Sequence, residues 1–86
     1  MTIEELRAEI DRIDRAIIRL YGERMDTARQ IGRYKQEHNL PVTDPARERE
    51  VLNQVGEAAG GEYADSAREL FSLLMAQSRA LQEKDR

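Results

Sequence analysis

The spacing of apolar residues near the start of the chain limits its fold more than any other feature. Ile3, Leu6, Ile10, Ile13, Ile17 and Leu20 follow one another in alternating steps of three and four. Such steps trace one narrow stripe along an α-helix, of the kind that seams two helices together. Thr2 stands before the stripe as an N-cap, and Glu5 completes a capping box. Nothing stops the pattern until about His38-Asn39, and Pro41 then forbids continuation. The spacing predicts a first helix over residues 3–37, roughly 50 Å long at about 1.5 Å per residue. A domain of this size is far narrower than that. The helix must lie against something outside its own compact body, and a second copy of the chain is the favoured support.

Composition points the same way. A chain of 86 residues with no Trp and 5% aromatic residues reads as one small domain, residues 1–86. A domain this small buries only about 60% of its unfolded surface, and oligomerising is a common remedy. The net charge of -3 and the absence of a basic tract argue against nucleic acid. Any anion must be recognised by particular cations in particular places. With no Cys, disulfide and thiol chemistry are excluded. The opening MTIEELRAEI has no cationic and apolar regions of a leader, and no stretch approaches the roughly 18 apolar residues of a membrane span. The expected location is the cytoplasm.

Asp44-Pro45 restarts the chain, with Asp44 as N-cap and Pro45 in the first helical position. A second helix of about three turns is expected, with Val51, Leu52 and Val55 inward, ended by Gly56 and then Gly60-Gly61. A third helix starts near Glu62 to Asp65 and runs to about Glu83. Its inner positions are Ala67, Leu70, Phe71, Leu74, Met75, Ser78, Leu81 and Gln82. No strand pattern, repeat or low-complexity segment is present, so the class is all-α, with three helices.

Polar residues interrupt both inner faces. Past Leu20 the first stripe passes through Arg24, Ala28, Ile31 and Lys35, and the third helix carries Ser78 and Gln82 on its inner face. An unpaired charge in a core costs several kcal/mol, so each cation needs a counter-anion, a wet cavity or a surface exit. Arg24 can pair with Glu48 or Glu23, and Lys35 can snorkel outward. Ser78 can bond back to its own helix, and Gln82 can mark an exposed end. Taken together, the four read as the lining of a polar pocket between helices. Arg24 and Lys35 are 11 residues apart, about 16 Å along the axis and about 20° around it, a gap that a small ligand can span. Arg7 lies roughly 25 Å from Arg24 on the same helix. Two such helices paired antiparallel about a centre near residues 15–17 bring Arg7 of one chain beside the other's Arg24–Lys35 stretch, completing two identical pockets.

Other charges look structural. Asp11–Arg15, Arg19–Glu23 and Arg33–Glu37 are expected as outer-face pairs, and Arg12, Arg29, Arg49 and Arg68 as solvated side chains. His38 has no second His or Cys with which to bind a metal, and reads as a loop residue. Arg47 and Glu48 open the second helix facing the Lys35 end, at the pocket rim.

Leu6-Arg7, Ile10-Asp11, Ile13-Asp14, Glu23-Arg24, Ile31-Gly32 and Tyr34-Lys35, followed by Pro41-Val42, Asp44 and Arg47-Glu48-Arg49, resemble the all-helical class of chorismate mutases, as does Ser78-x-x-x-Gln82. The resemblance covers nearly the whole chain. It implies an intertwined antiparallel homodimer whose long first helices are shared between two active sites, with no cofactor and no metal. It also implies that Arg24 and the partner chain's Arg7 bind the carboxylates of chorismate. Lys35 bridges a carboxylate and the ether oxygen, and Gln82 donates to that same oxygen. Arg47 and Ser78 assist with a carboxylate, and Glu48 takes the ring hydroxyl, with Asp44 beside it. The implied reaction is the Claisen rearrangement to prephenate in phenylalanine and tyrosine biosynthesis. Two alternatives stay open. An isochorismate-pyruvate lyase uses a similar cationic pocket on the same scaffold, and a non-catalytic helical dimerisation or regulatory module shares the stripe.

Overall fold

The computed structural model describes all 86 residues as three helices and a short 3-10 turn. Helix α1 spans Ile3–Glu37, α2 spans Pro45–Ala59, the 3-10 turn spans Gly61–Tyr63 and α3 spans Ala64–Lys84. There are no strands, and the all-α expectation holds. No helix is long and apolar enough to cross a membrane.

Local chemistry explains where α1 begins and ends. The Thr2 hydroxyl accepts from the Glu5 backbone N–H at 3.1 Å, and the Glu5 carboxylate accepts from the Thr2 N–H at 3.3 Å. At the other end Asn39 takes φ 56°, a left-handed conformation that asparagine tolerates better than most residues. The Leu40 N–H then returns to the Lys35 carbonyl at 2.7 Å, which closes the helix and turns the chain back. His38 caps the end and stacks on Tyr34 at 3.9 Å between ring centres. Its role is structural.

The Asp44 carboxylate caps α2 by accepting from the Arg47 N–H at 3.1 Å, and Pro45 fills the first position. Contrary to expectation, Gly56 does not end this helix, which runs 15 residues to a cap at Gly60 with φ 66°. Gly56 serves close approach instead. A Cβ there would collide with the Arg68 guanidinium of α3, so the glycine makes room for the arginine. Arg68 is therefore not simply solvated: it lies over Gly56 and pairs with Asp65 at 2.9 Å.

Helix α3 packs against both α1 and α2, yet the chain encloses little. It measures 54 × 25 × 14 Å with a radius of gyration of 15.9 Å, whereas a compact chain of this length has one near 12 Å. Six of 86 residues are buried. The apolar stripe of α1 stands uncovered, with Ile17 57% exposed, and Leu70 of α3, expected inward, is 55% exposed. Leu70 instead joins Ile17, Ile18, Leu20, Tyr21, Phe71, Leu73 and Leu74 around an open apolar hollow of about 480 Å³. Continuous exposed apolar surface on this scale marks an interaction face.

Of the expected outer-face pairs only Arg19–Glu23 forms, at 3.6 Å. Asp11–Arg15 and Arg33–Glu37 stay open, as exposed pairs gain too little to hold two long side chains. Arg12 and Arg29 are solvent-exposed as expected, and they also pair with Glu9 and Asp85, each at 3.1 Å. The second of these ties the end of α3 to α1.

Candidate active site

Between the second half of α1, the start of α2 and the end of α3 lies a cavity of about 450 Å³, within the range of small-molecule sites. Arg24, Lys35, Asp44, Arg47, Glu48, Ser78 and Gln82 all line it. Arg7 does not. It stands alone, far along α1, as its spacing requires.

Each helix supplies its residues for a local reason. On α1 the steps 24, 28, 31 and 35 keep one face toward α3 and the loop, so two cations and two smaller apolar groups share the wall. Arg24 does not pair with Glu48 or Glu23. Its Nη1 donates to the Ser78 hydroxyl at 2.8 Å, and its guanidinium lies 5.9 Å from the centre of the Phe71 ring. Glu23 is held by Arg19, and Glu48 by Arg79 of α3 at 2.5 Å. Both acids expected for Arg24 are thus engaged elsewhere. Ser78 bonds back to its own helix as expected, donating to the Leu74 carbonyl at 2.9 Å while accepting from Arg24.

Lys35 turns inward rather than out. Its Nζ donates to the Val42 carbonyl at 2.7 Å, and the buried Val42 side chain anchors the loop that presents this carbonyl. An ammonium group has three donors, so two remain for a ligand. Neither Arg24 nor Lys35 forms an ion pair with any carboxylate of the chain. Half-buried cations satisfied only by neutral oxygens leave their charge uncompensated within the chain.

Gln82 is not an exposed end. It is 6% exposed, the one buried polar or charged side chain in the molecule, and its Nε2 donates to the Ala28 carbonyl at 2.8 Å. A carbonyl only accepts, so the amide nitrogen must face it. One N–H is fixed, and the other remains for the cavity. At the rim Arg47 is exposed and pairs with Glu50 at 2.6 Å; Asp44 is occupied as a helix cap.

Arg79 was absent from the sequence-derived set, though it lines the cavity and holds Glu48. Met75, Ser78, Arg79 and Gln82 follow helical spacing on one face of α3, and that periodicity was the available signal. No cluster of three metal-ligating side chains occurs.

The model of the family described as chorismate mutase type II matches residues 6–83. The chain belongs to this family. Chorismate mutases are isomerases, and the relatives include both free-standing and fused forms. The chain is 27% identical over 84 residues to the chorismate mutase of Methanocaldococcus jannaschii, covering 95% of this chain and 85% of that protein. It is 44% identical over 69 residues to a bifunctional chorismate mutase/prephenate dehydratase of Aquifex aeolicus, covering 76% of this chain and 19% of that protein. The chain thus spans less than a fifth of that fused relative's length. The solved chorismate mutase (form II) of Thermus thermophilus superimposes with a TM-score of 0.89 at 38% identity, covering 94% of this chain and 93% of that one. The three-helix arrangement is therefore the fold of a known chorismate mutase.

Proposed function

We propose that this chain is a chorismate mutase, isomerising chorismate to prephenate in phenylalanine and tyrosine biosynthesis, in the cytoplasm, with residues 1–86 as one catalytic unit and no cofactor. One observation carries the reading: Arg24 and Lys35 line a single cavity, half-buried and without a carboxylate partner. Chorismate carries two carboxylates, and its rearrangement breaks one C–O bond and forms one C–C bond within the same molecule. Such a reaction asks for no nucleophile and no proton shuttle.

Two tasks remain for the side chains. The first is to hold the enolpyruvyl arm folded over the ring, which guanidinium–carboxylate contacts accomplish by fixing both ends. Arg24, held in place by its bond to the Ser78 hydroxyl, takes one carboxylate with help from Arg47, and Arg7 of a second copy takes part from across the interface. The second task is to stabilise negative charge that grows on the ether oxygen as the C–O bond lengthens. The remaining donors of Lys35 and Gln82, already oriented by Val42 and Ala28, suit that purpose. Glu48 accepts the ring hydroxyl, with Asp44 nearby.

The second copy is part of this proposal. The uncovered α1 stripe supports an antiparallel homodimer centred near residues 15–17, which brings Arg7 to the neighbour's cavity. Incubation with chorismate, following loss of its ultraviolet absorbance and formation of prephenate, tests the function. Unchanged absorbance would sink it and favour a non-catalytic helical module. Release of pyruvate from isochorismate without turnover of chorismate would make the protein a lyase instead.

A further inference from the structure

Gln82 reaches its position by lying along α1 at Gly32. Gly32 is buried in the interior of that helix and has no positive φ, so backbone freedom is not what the position requires. Glycine inside a helix is also less favourable than alanine. Space is the requirement. A Cβ on Gly32 would lie 2.8 Å from Gln82 Cγ, 3.2 Å from its Cβ and 3.5 Å from its Cδ, whereas one on Gly22 of the same helix meets nothing within 4 Å. The contacted atoms sit at the root of the Gln82 side chain, close to the α3 backbone, and cannot swing aside as a flexible tip can. The far end is fixed as well, by the Ala28 carbonyl at 2.8 Å. Ala28 and Gly32 are one turn apart on one face of α1, so they form a small-residue seat on which the amide lies flat. A methyl group at position 32 must displace the end of α3 or change the Gln82 rotamer, and either one moves Nε2.

We propose that Gly32 is a positioning residue for Gln82: its missing side chain sets where the amide donor stands in the cavity. This rests on the proposed role of Gln82 at the ether oxygen.

A double-mutant cycle with chorismate tests it, using Gly32→Ala, Gln82→Ala and the pair, each checked for helicity by circular dichroism. The expected result for Gly32→Ala is a kcat about tenfold or more below wild type with KM within about twofold, since small misplacements of a donor act on the chemical step. In the Gln82→Ala chain the 2.8 Å contact with Cγ no longer exists, and only the 3.2 Å approach to Cβ remains, with no amide left to misplace; adding Gly32→Ala should change kcat less than about twofold. The acid-side rise in activity expected of Gln82→Glu should likewise vanish when Gly32→Ala is added. The proposal is overturned if Gly32→Ala turns over normally while Gln82→Ala does not. An equal loss in both backgrounds overturns it too. Normal turnover by Gln82→Ala instead sinks the role of Gln82 itself, which separates the two failures. Should Gly32→Ala fail to fold, the double variant decides: folded and as active as Gln82→Ala supports the proposal, unfolded refutes it.

Discussion

Glu48 of α2 and Arg79 of α3 meet at 2.5 Å in the wall of the cavity, with 28% and 35% of their side chains exposed. The arginine neutralises the one half-buried carboxylate that would otherwise face an incoming dianion. Arg79→Ala should therefore raise KM for chorismate about tenfold, roughly 1.4 kcal/mol, a figure kept modest because solvent screens the pair. Glu48→Gln in the same chain should recover part of the loss, because a neutral amide needs no counter-charge. Steady-state kinetics of the three variants check this, and an unchanged KM in Arg79→Ala would remove the pair from the site.

Lys35→Ala removes a donor that is already aimed by the Val42 carbonyl. The loss should fall on kcat, by about a hundred- to a thousandfold. A variant that loses only KM would assign Lys35 to binding alone.

Gln82→Glu exchanges the donor for a group that repels growing negative charge when ionised. Activity should be low at neutral pH and rise as pH falls and the buried carboxyl takes up its proton. The sign follows from the protonated carboxyl, which regains an O–H donor. A flat pH–rate profile in this variant would take Gln82 out of the site.

Arg7→Ala should damage both KM and kcat. Mixed with Lys35→Ala, it should regain activity, because a heterodimer holds one site with Lys35 from one chain and Arg7 from the other. Random exchange makes half the dimers mixed, each with one good site, so about a quarter of wild-type activity is expected. Two inactive proteins that stay inactive after unfolding and refolding together would rule out a shared site.

Ile13→Glu places a charge in the middle of the α1 stripe. Burying it against a second copy would cost several kcal/mol, so association and activity should be lost together. Sedimentation showing an unchanged dimer would move the interface elsewhere.

Much of this architecture was legible because it rests on local rules. The three–four spacing and Pro41 set α1, and Asp44-Pro45 set the start of α2 with its cap at 3.1 Å. Gly56 was misread because a glycine inside a helix and one at its end look alike until Arg68 is seen lying over it. The partner of Arg24 stays open in the sequence because nothing there shows that Arg19 holds Glu23 and that Arg79 of α3 holds Glu48. Arg79 stands out only once its acceptor on α2, Glu48, is seen, since its helical spacing alone does not say what it meets.

The six buried residues bear on how such a protein tolerates change. In the proposed twofold pair, every residue of the α1 stripe occurs twice in one contact. A substitution that weakens the seam by about 1 kcal/mol per chain weakens the assembly by about 2, and an improvement is doubled in the same way. The stripe is therefore where a single codon exerts the most leverage over heat tolerance, for better or worse.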